Sequence, residues 1–337
     1  MNDYPLVIAV PSKGRLQENA AAFFARAGLP VRQARGGRDY RGSLVGVPGA
    51  EILFLSAAEI VSQLASGGAH LGVTGEDLLR EGVDRVEEKL ELITPLGFGN
   101  ANVVVAVPQS WIDVRNMADL DEVAHAMRAR HGRRLRVATK YLNLTRRFFA
   151  EKGVLEYRIV ESPGATEAAP QSGTADVIVD ITTTGATLAA NGLKVLDDGT
   201  ILRSEANLVA SLGASWGERA RVVARTVLSR IAAEEVGRTT REVRAGIDPD
   251  RPEIADMAAR FGTSRPAGRA SATELILHCP TDAVFAVVDG LLAAGAEDVA
   301  VHRLDYVFRT GEPLISRLFS RIGEEVDGVA AGSAGLP

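Results

Sequence analysis

An α/β fold with a largely parallel sheet is predicted from two features of the sequence. Short apolar runs alternate with longer stretches of helical period, and at least one run is apolar on both faces, as a strand covered by helices on both sides must be. At 337 residues the chain has room for two domains and a small third, and 46% hydrophobic with 24% charged residues excludes disorder throughout. Gly, at 34 residues, exceeds the usual share of about 7%.

In chain order the pattern predicts a strand at 6–10, a helix at 16–27, a strand at 51–55, a helix at 57–66 and a strand at 71–74. The doubly apolar run at 101–107 opens a second lobe. That lobe continues with a helix at 120–130, a strand at 135–139, a helix at 143–151 and strands at 157–160 and 176–181. Short returning strands at 193–195 and 207–211 precede a helix at 216–236, in which Val223, Val227 and Ile231 recur every four residues. One lobe is thus inserted into the other, with 1–99 and 192–236 forming lobe I and 100–191 lobe II.

Residues 237–271 carry seven arginines and five acids with little apolar period, which predicts a surface-hugging linker. A compact strand, helix, strand unit at 274–304 and an amphipathic helix at 313–322 form a small C-terminal α+β module over 272–323. Residues 324–337 read as a flexible tail.

A net charge of -5 argues against a bulk nucleic-acid binder. The single Cys279 excludes a disulfide framework and reads as core packing at the end of an apolar strand. The five histidines show no metal-ligand spacing. The acidic stretch 84–91 reads as a solvated helix face. The start of the chain lacks the basic and long apolar segments of a secretory signal, and polar residues interrupt the longest uncharged stretch, so a cytoplasmic protein with no membrane segment is expected.

The chemistry is written most clearly around Asp180. A buried strand ends in this carboxylate and runs through Thr182, Thr183, Thr184, Gly185, Ala186 and Thr187 before a helical pattern resumes at Leu188. Glycine allows close backbone approach to an anion, and successive N–H groups, hydroxyls and the helix N-terminus suit a phosphate. Asp180 stands where a sugar's hydroxyls would lie. Lys13 and Arg15, beside Gly14 after the first strand, are cations at a strand end that faces the interlobe crevice. Gly72 and Gly75 bracket a tight strand-to-helix turn ahead of Glu76 and Asp77.

The threonine turn resembles the loop that binds 5-phosphoribosyl-1-pyrophosphate (PRPP) in phosphoribosyltransferases. Salvage and orotate types carry two adjacent acids at this strand end, whereas here Val179 precedes a single Asp180. Upstream, Glu167 followed by Gly173, Ala175, Ile178, Asp180, Thr184, Gly185, Thr187 and Leu188 is similar to the signature of ATP phosphoribosyltransferase, the first enzyme of histidine biosynthesis. Further matching segments are Ser12 to Leu16, Gly72 to Leu78, Val137 to Tyr141, Gly164 to Glu167 and Ala190 to Leu193, so the resemblance covers roughly 6–236. Leu142 and Ser56 depart from the Pro and Arg frequent in relatives.

The resemblance implies a two-lobed, periplasmic-binding-protein-like catalytic core in which N1 of ATP attacks C1 of PRPP, pyrophosphate leaves and Mg2+ is required. It makes Glu167 and Asp180 the acids near the ribose, the stretch from Thr182 to Leu188 the PRPP loop, and Lys13, Gly14, Arg15, Gly75 and Glu76 phosphate or nucleotide contacts. It also implies a homo-oligomer. A phosphoribosyltransferase for another base, or a non-catalytic crevice module, are the alternative readings. Short-form relatives rely on a partner resembling histidyl-tRNA synthetase, and this chain is too long for that form. Long-form tails hold two strand-helix-strand units and bind histidine as feedback inhibitor; only one such unit is evident here, which predicts altered or absent feedback.

Overall fold

The computed structural model describes residues 5–33, 40–162, 164–266 and 273–323. The chain begins with β1 (Leu6–Pro11), α1 (Gly14–Arg26), β2 (Val31–Gln33), β3 (Arg41–Leu44), β4 (Ala50–Leu55), α2 (Ala57–Ser66), β5 (Leu71–Gly75), α3 (Glu76–Gly82), α4 (Val86–Lys89) and β6 (Leu90–Pro95). It continues with β7 (Asn102–Pro108), α5 (Met117–His131), β8 (Leu135–Thr139), α6 (Leu142–Glu151), β9 (Tyr157–Glu161), a 3-10 turn (Thr166–Ala168), β10 (Val177–Thr182), α7 (Ala186–Ala190) and β11 (Leu193–Leu202). Last come β12 (Ala206–Ser211), α8 (Glu218–Thr239), β13 (Thr240–Ala245), α9 (Pro252–Phe261), β14 (Leu275–Pro280), α10 (Val284–Ala293), β15 (Val299–Arg303) and α11 (Pro313–Arg321).

Three sheets result, ordered β2-β3-β4-β1-β5-β12-β6, β11-β7-β10-β8-β9 and β14-β13-β15. In the first, β1 lies parallel to both β4 and β5, and Leu6, Ile8, Ala9 and Val10 are buried on both of its faces. α1 covers one face with Ala20, Phe23 and Phe24; α2 covers the other with Ile60, Val61 and Leu64. Ser56 begins α2 with a capping box, its hydroxyl accepting from Glu59 N at 3.3 Å while Ser56 N donates to Glu59 Oε2 at 2.8 Å. In the second sheet the fully buried Val177, Ile178 and Val179 place β10 between β7 and β8.

The chain crosses between these sheets twice, and the two crossings are tied together. Ala101 N donates to Ser204 O at 2.9 Å, Leu96 N to Ala206 O at 2.9 Å and Ala206 N to Phe98 O at 2.9 Å. The lobe boundary differs from the expected one. β11 pairs with β7 in the second sheet, so the return to the first sheet begins only at β12, which lies between β5 and β6. The expected helix over 84–91 is likewise reduced to the four residues of α4, because Val86 and Leu90 are buried and the chain extends into β6.

Residues 237–266 are not a linker. β13 is the central strand of the third sheet, and α9 packs Ile254 and Met257 against Val243, Leu275 and Val287. The arginines hid this because they alternate with the buried positions; Arg244 Nε instead pairs with Glu242 Oε1 at 2.7 Å. Ser264 bridges His278 in antiparallel sense, so the order is strand, helix, bridge, strand, helix, strand. A second strand-helix repeat is therefore present, its return strand reduced to a single bridge among the described residues, and the argument for lost feedback from a missing half falls. α11, placed in this module by the sequence, packs Leu318 and Phe319 into the core of the first lobe. The expected tail at 324–337, residues 267–271 of the expected linker and residue 272 of the expected module lie outside the described residues.

His70 is a structural residue. It is buried, accepts from Val7 N at Nδ1 (3.1 Å), donates from Nε2 to Ser215 O (3.1 Å) and meets Trp216 edge-on at 5.0 Å. Burial pushes its imidazole below the ordinary range, which keeps it neutral.

At the opposite end of β10 from Thr182, Asp176 joins two strands. Its carboxylate accepts from Arg133 NH1 at 2.6 Å, from Arg136 NH2 at 2.9 Å and from Arg136 N at 2.9 Å. Burial alone would raise this acid, but Arg136 and Arg133 hold it at about 2, below the ordinary 3.8. A depressed folded value contributes stability above the unfolded value that is lost as pH falls through the folded one. Asp176→Asn is thus expected to lower the unfolding free energy by about 2 kcal/mol at neutral pH. Urea titrations should show this gap closing between pH 3.8 and about 2.

Candidate active site

The C-terminal ends of the parallel strands of each sheet meet at the crossings. Gly75, closing β5, pairs with Ala206, and Thr182, closing β10, pairs with Asn102. Residues after β1, β5, β8 and β10 are thereby brought toward one crevice, the general position for ligands in open α/β sheets.

A cavity of about 280 Å3 opens beside the threonine turn, lined by Asp180, Ile181, Thr182, Thr183, Thr184, Ala186, Thr187 and Leu188 from the turn and by Glu167, Asn100 and Ala101 from its surroundings. Gly185 shapes the turn, with φ of 76°, and a Cβ there would meet nothing within 4 Å. Its requirement is therefore conformational, together with an open approach to the backbone. Thr182 Oγ1 accepts from Gly185 N at 2.8 Å and closes the turn, while Thr183 Oγ1 donates to Asn100 O at 3.0 Å. Those two hydroxyls brace the loop; Thr184, whose Oγ1 accepts from Ala186 N at 3.4 Å, and Thr187 are exposed. Within α7 the first return bond runs from Ala189 N to Gly185 O; of the preceding amides, Ala186 N donates to Thr184 Oγ1, and Thr187 and Leu188 are left as first-turn donors.

Asp180 is half-buried and accepts from Ile181 N at 2.8 Å. Burial pushes its carboxyl above the ordinary range; the Ile181 amide and Lys140 oppose this, and the Glu167 charge adds to it. Glu167 enters the same cavity from the 3-10 turn, whose preceding residue Ala165 has φ of 52°. Two carboxylates thus face a phosphate-suited turn across one small space.

The sequence-predicted residues of the first lobe do not line this cavity. Lys13 caps α1 in extended conformation, Gly14 follows with φ of 69°, and Lys13 and Arg15 are exposed without an ion pair among the described residues. Glu76 is held by Arg80, whose Nε donates to Glu76 Oε1 at 2.6 Å. Gly75 is glycine for space, since a Cβ there would lie 2.3 Å from Asp77 Oδ1.

Asp77 leads to a buried network that sequence reasoning missed. Asp77 N donates to Ser204 Oγ at 3.0 Å, Ser204 Oγ donates to Asp77 Oδ1 at 2.9 Å, and Tyr141 Oη donates to Asp77 Oδ2 at 2.7 Å. Burial, then Asp77, pushes the Tyr141 phenol far up, so it stays a donor. The network joins α3 of one lobe to the start of α6 in the other. Glu81 extends it by capping α6, accepting from Asn143 N at 3.0 Å and Leu144 N at 2.9 Å. Its sequence signal was the acid pair after a strand-ending glycine, which helix-dipole preference explains equally well.

Among the described residues, no group of three or more His, Cys, Asp or Glu could hold a metal ion, and no helix is long and apolar enough to cross a membrane.

A family model described as HisG, ATP phosphoribosyltransferase, matches residues 56–233. An ATP phosphoribosyltransferase of Nitrobacter hamburgensis is 60% identical over 316 residues, covering 93% of this chain and 97% of that protein. One of Nitrobacter winogradskyi is 59% identical over 315 residues, covering 93% and 97%. Among solved structures, the ATP phosphoribosyl transferase (HisG:HisZ) complex from Thermotoga maritima aligns with a TM-score of 0.52 at 25% identity, over 67% of this chain and 95% of that one.

Tyr141→Phe removes the donor to Asp77 Oδ2 and leaves a buried carboxylate oxygen short of a partner. A loss of about 2 kcal/mol in unfolding free energy is expected from that change, measured by urea denaturation at neutral pH.

Proposed function

The chain belongs to the ATP phosphoribosyltransferase family, and from that premise we propose that the cavity beside the threonine turn holds PRPP while its ribose C1 is joined to N1 of ATP. The C1–N1 bond forms as the bond from C1 to the pyrophosphate oxygen breaks. The observation that carries this reading is the meeting in one cavity of the first-turn amides of α7 with the carboxylates of Asp180 and Glu167.

In this reading the turn from Thr182 to Leu188 receives the 5′-phosphate through amides and the exposed hydroxyls of Thr184 and Thr187. Asp180 and Glu167 accept from the ribose hydroxyls, orient the sugar and offset positive charge at C1 as the leaving group departs. Lys13 and Arg15, across the crevice, offer positive charge to the departing pyrophosphate or to the nucleotide, with Gly14 allowing the backbone close. Gly75 and Glu76 line the nucleotide side. Mg2+ would be held mainly by the substrates' phosphates and by water rather than by an all-protein cage. When bound it offsets charge building on pyrophosphate. A cytoplasmic location belongs to this reading.

The C-terminal module fits a regulatory role. Its two strand-helix halves support histidine as a feedback ligand, in a homo-oligomeric enzyme. Calorimetric titration of histidine into the full chain should give saturable binding and matching inhibition; no heat at millimolar histidine would remove this role.

Asp180→Asn keeps shape and removes charge. Charge-assisted hydrogen bonds of about 1.5–3 kcal/mol predict a loss of roughly 10- to 100-fold in kcat/KM for PRPP. The assay follows the absorbance of the ATP adduct. Unchanged kcat and PRPP affinity would sink the assignment.

A further inference from the structure

Lys140 directly follows β8, and Asp180 lies in β10, the parallel neighbour of β8. The register pairs Val137 with Val177 and Ala138 with Ile178, and continued by two residues it brings Lys140 level with Asp180 at the strand ends. Neighbouring strands lie about 4.8 Å apart, so residues level with one another are close. Lys140 is exposed, its ammonium stands 5.1 Å from the centre of the Tyr141 ring, and it makes no ion pair among the described residues.

The surroundings of Asp180 are unbalanced without it. Glu167 faces the same cavity from the 3-10 turn, and β7 contributes the uncharged Val104 opposite Asp180. Tyr141 is neutral and bound to Asp77, and the Ile181 amide is a local donor. Burial and Glu167 both disfavour charge on Asp180, while Lys140 acts in the other direction. A carboxylate serves as a double acceptor for sugar hydroxyls only when ionised.

We propose that Lys140 is a positioning residue for phosphoribosyl transfer: its ammonium, level with Asp180 on the adjoining strand end, balances the Asp180 carboxylate and keeps it available to the ribose hydroxyls. The inference deepens the reading of the cavity as the PRPP site and rests on it.

Lys140→Met removes the charge and Lys140→Arg retains it. In the substrate-free protein, carbon-13 NMR titration of the Asp180 carboxyl, assigned with Asp180→Asn, should show the midpoint of Lys140→Met raised by roughly half a unit to one unit, with Lys140→Arg near wild type. In turnover, Lys140→Met should lose about 3- to 10-fold in kcat/KM for PRPP on the acid limb of the pH profile. The loss should close to within about 2-fold on the plateau, with Lys140→Arg rescuing it. An unmoved NMR midpoint overturns the proposal, as does a loss equal at every pH that arginine fails to rescue. A wild-type chain that makes no adduct from ATP and PRPP would instead overturn the PRPP reading, a failure told apart because the NMR titration uses no substrate.

Discussion

Everything at the crevice depends on how the chain crosses between its two sheets. Among the described residues two segments pass, and their backbone bonds at Leu96, Ala101 and Ala206 hold them side by side. Ser204, on the returning crossing, exchanges hydrogen bonds with Asp77, and Asp77 in turn accepts from Tyr141 of the second lobe. A buried carboxylate is tolerated only when its acceptor sites are filled. Here the donors come from a crossing segment and from the opposite lobe, so satisfying the acid and aligning the lobes are the same event. Glu81, capping α6 from across the gap, adds a second tie in the same direction.

The two ends of β10 set carboxylates of the same residue type in different electrostatic conditions. Asp176 lies at the start of β10 between two guanidiniums and is held low; Asp180 lies at its end, half-buried beside Glu167, and is raised. One strand thus carries a carboxylate that locks the sheet and another left short of partners. The unsatisfied end is the one that faces the cavity. Unpaired acceptors beside first-turn amides suit a ligand that brings both hydroxyl donors and a phosphate, and an activated ribose 5-phosphate has both.

Much of this was legible in the sequence, for physical reasons. Strands buried on both faces declare themselves as apolar runs, so β1, β7, β8 and β10 were read within a residue or two of their ends. The threonine turn was legible because acid, hydroxyls, glycine and helix start follow one another without interruption, and all but the glycine of that turn line the cavity. The missed parts share a cause. β13 intersperses buried residues with arginines, one of them paired to Glu242, and charged residues surround the buried Ile254 and Met257 of α9, so charge count outweighed periodicity. β11 reads like any short returning strand, and which sheet it joins is decided by long-range pairing with β7 that no local pattern carries. Asp77 and Lys140 matter through partners 64 and 40 residues away in sequence or on a neighbouring strand, and single residues give no sign of that.

The C-terminal part is tied to the catalytic core more closely than an appended module would be. Tyr306 Oη donates to Arg26 O at 2.8 Å, and Val307 N donates to Ala233 O at 2.9 Å. α11 then returns to the first lobe, where Leu318 and Phe319 are fully buried and Arg321 NH1 meets Glu91 Oε2 at 2.8 Å beside β6. β6 pairs with β12, and β12 begins at the crossing that carries Ser204. Removing the chain beyond α8 would therefore strip two large side chains from the core of the lobe that holds β1 and β5, at a cost of several kcal/mol by the usual measure of about 2–5 kcal/mol for each large buried side chain lost. Loss of activity in such a truncation would report a damaged lobe as readily as a lost regulator. A separation of the two roles has to be made by point substitution within the third sheet and its helices, leaving α11 seated against β6.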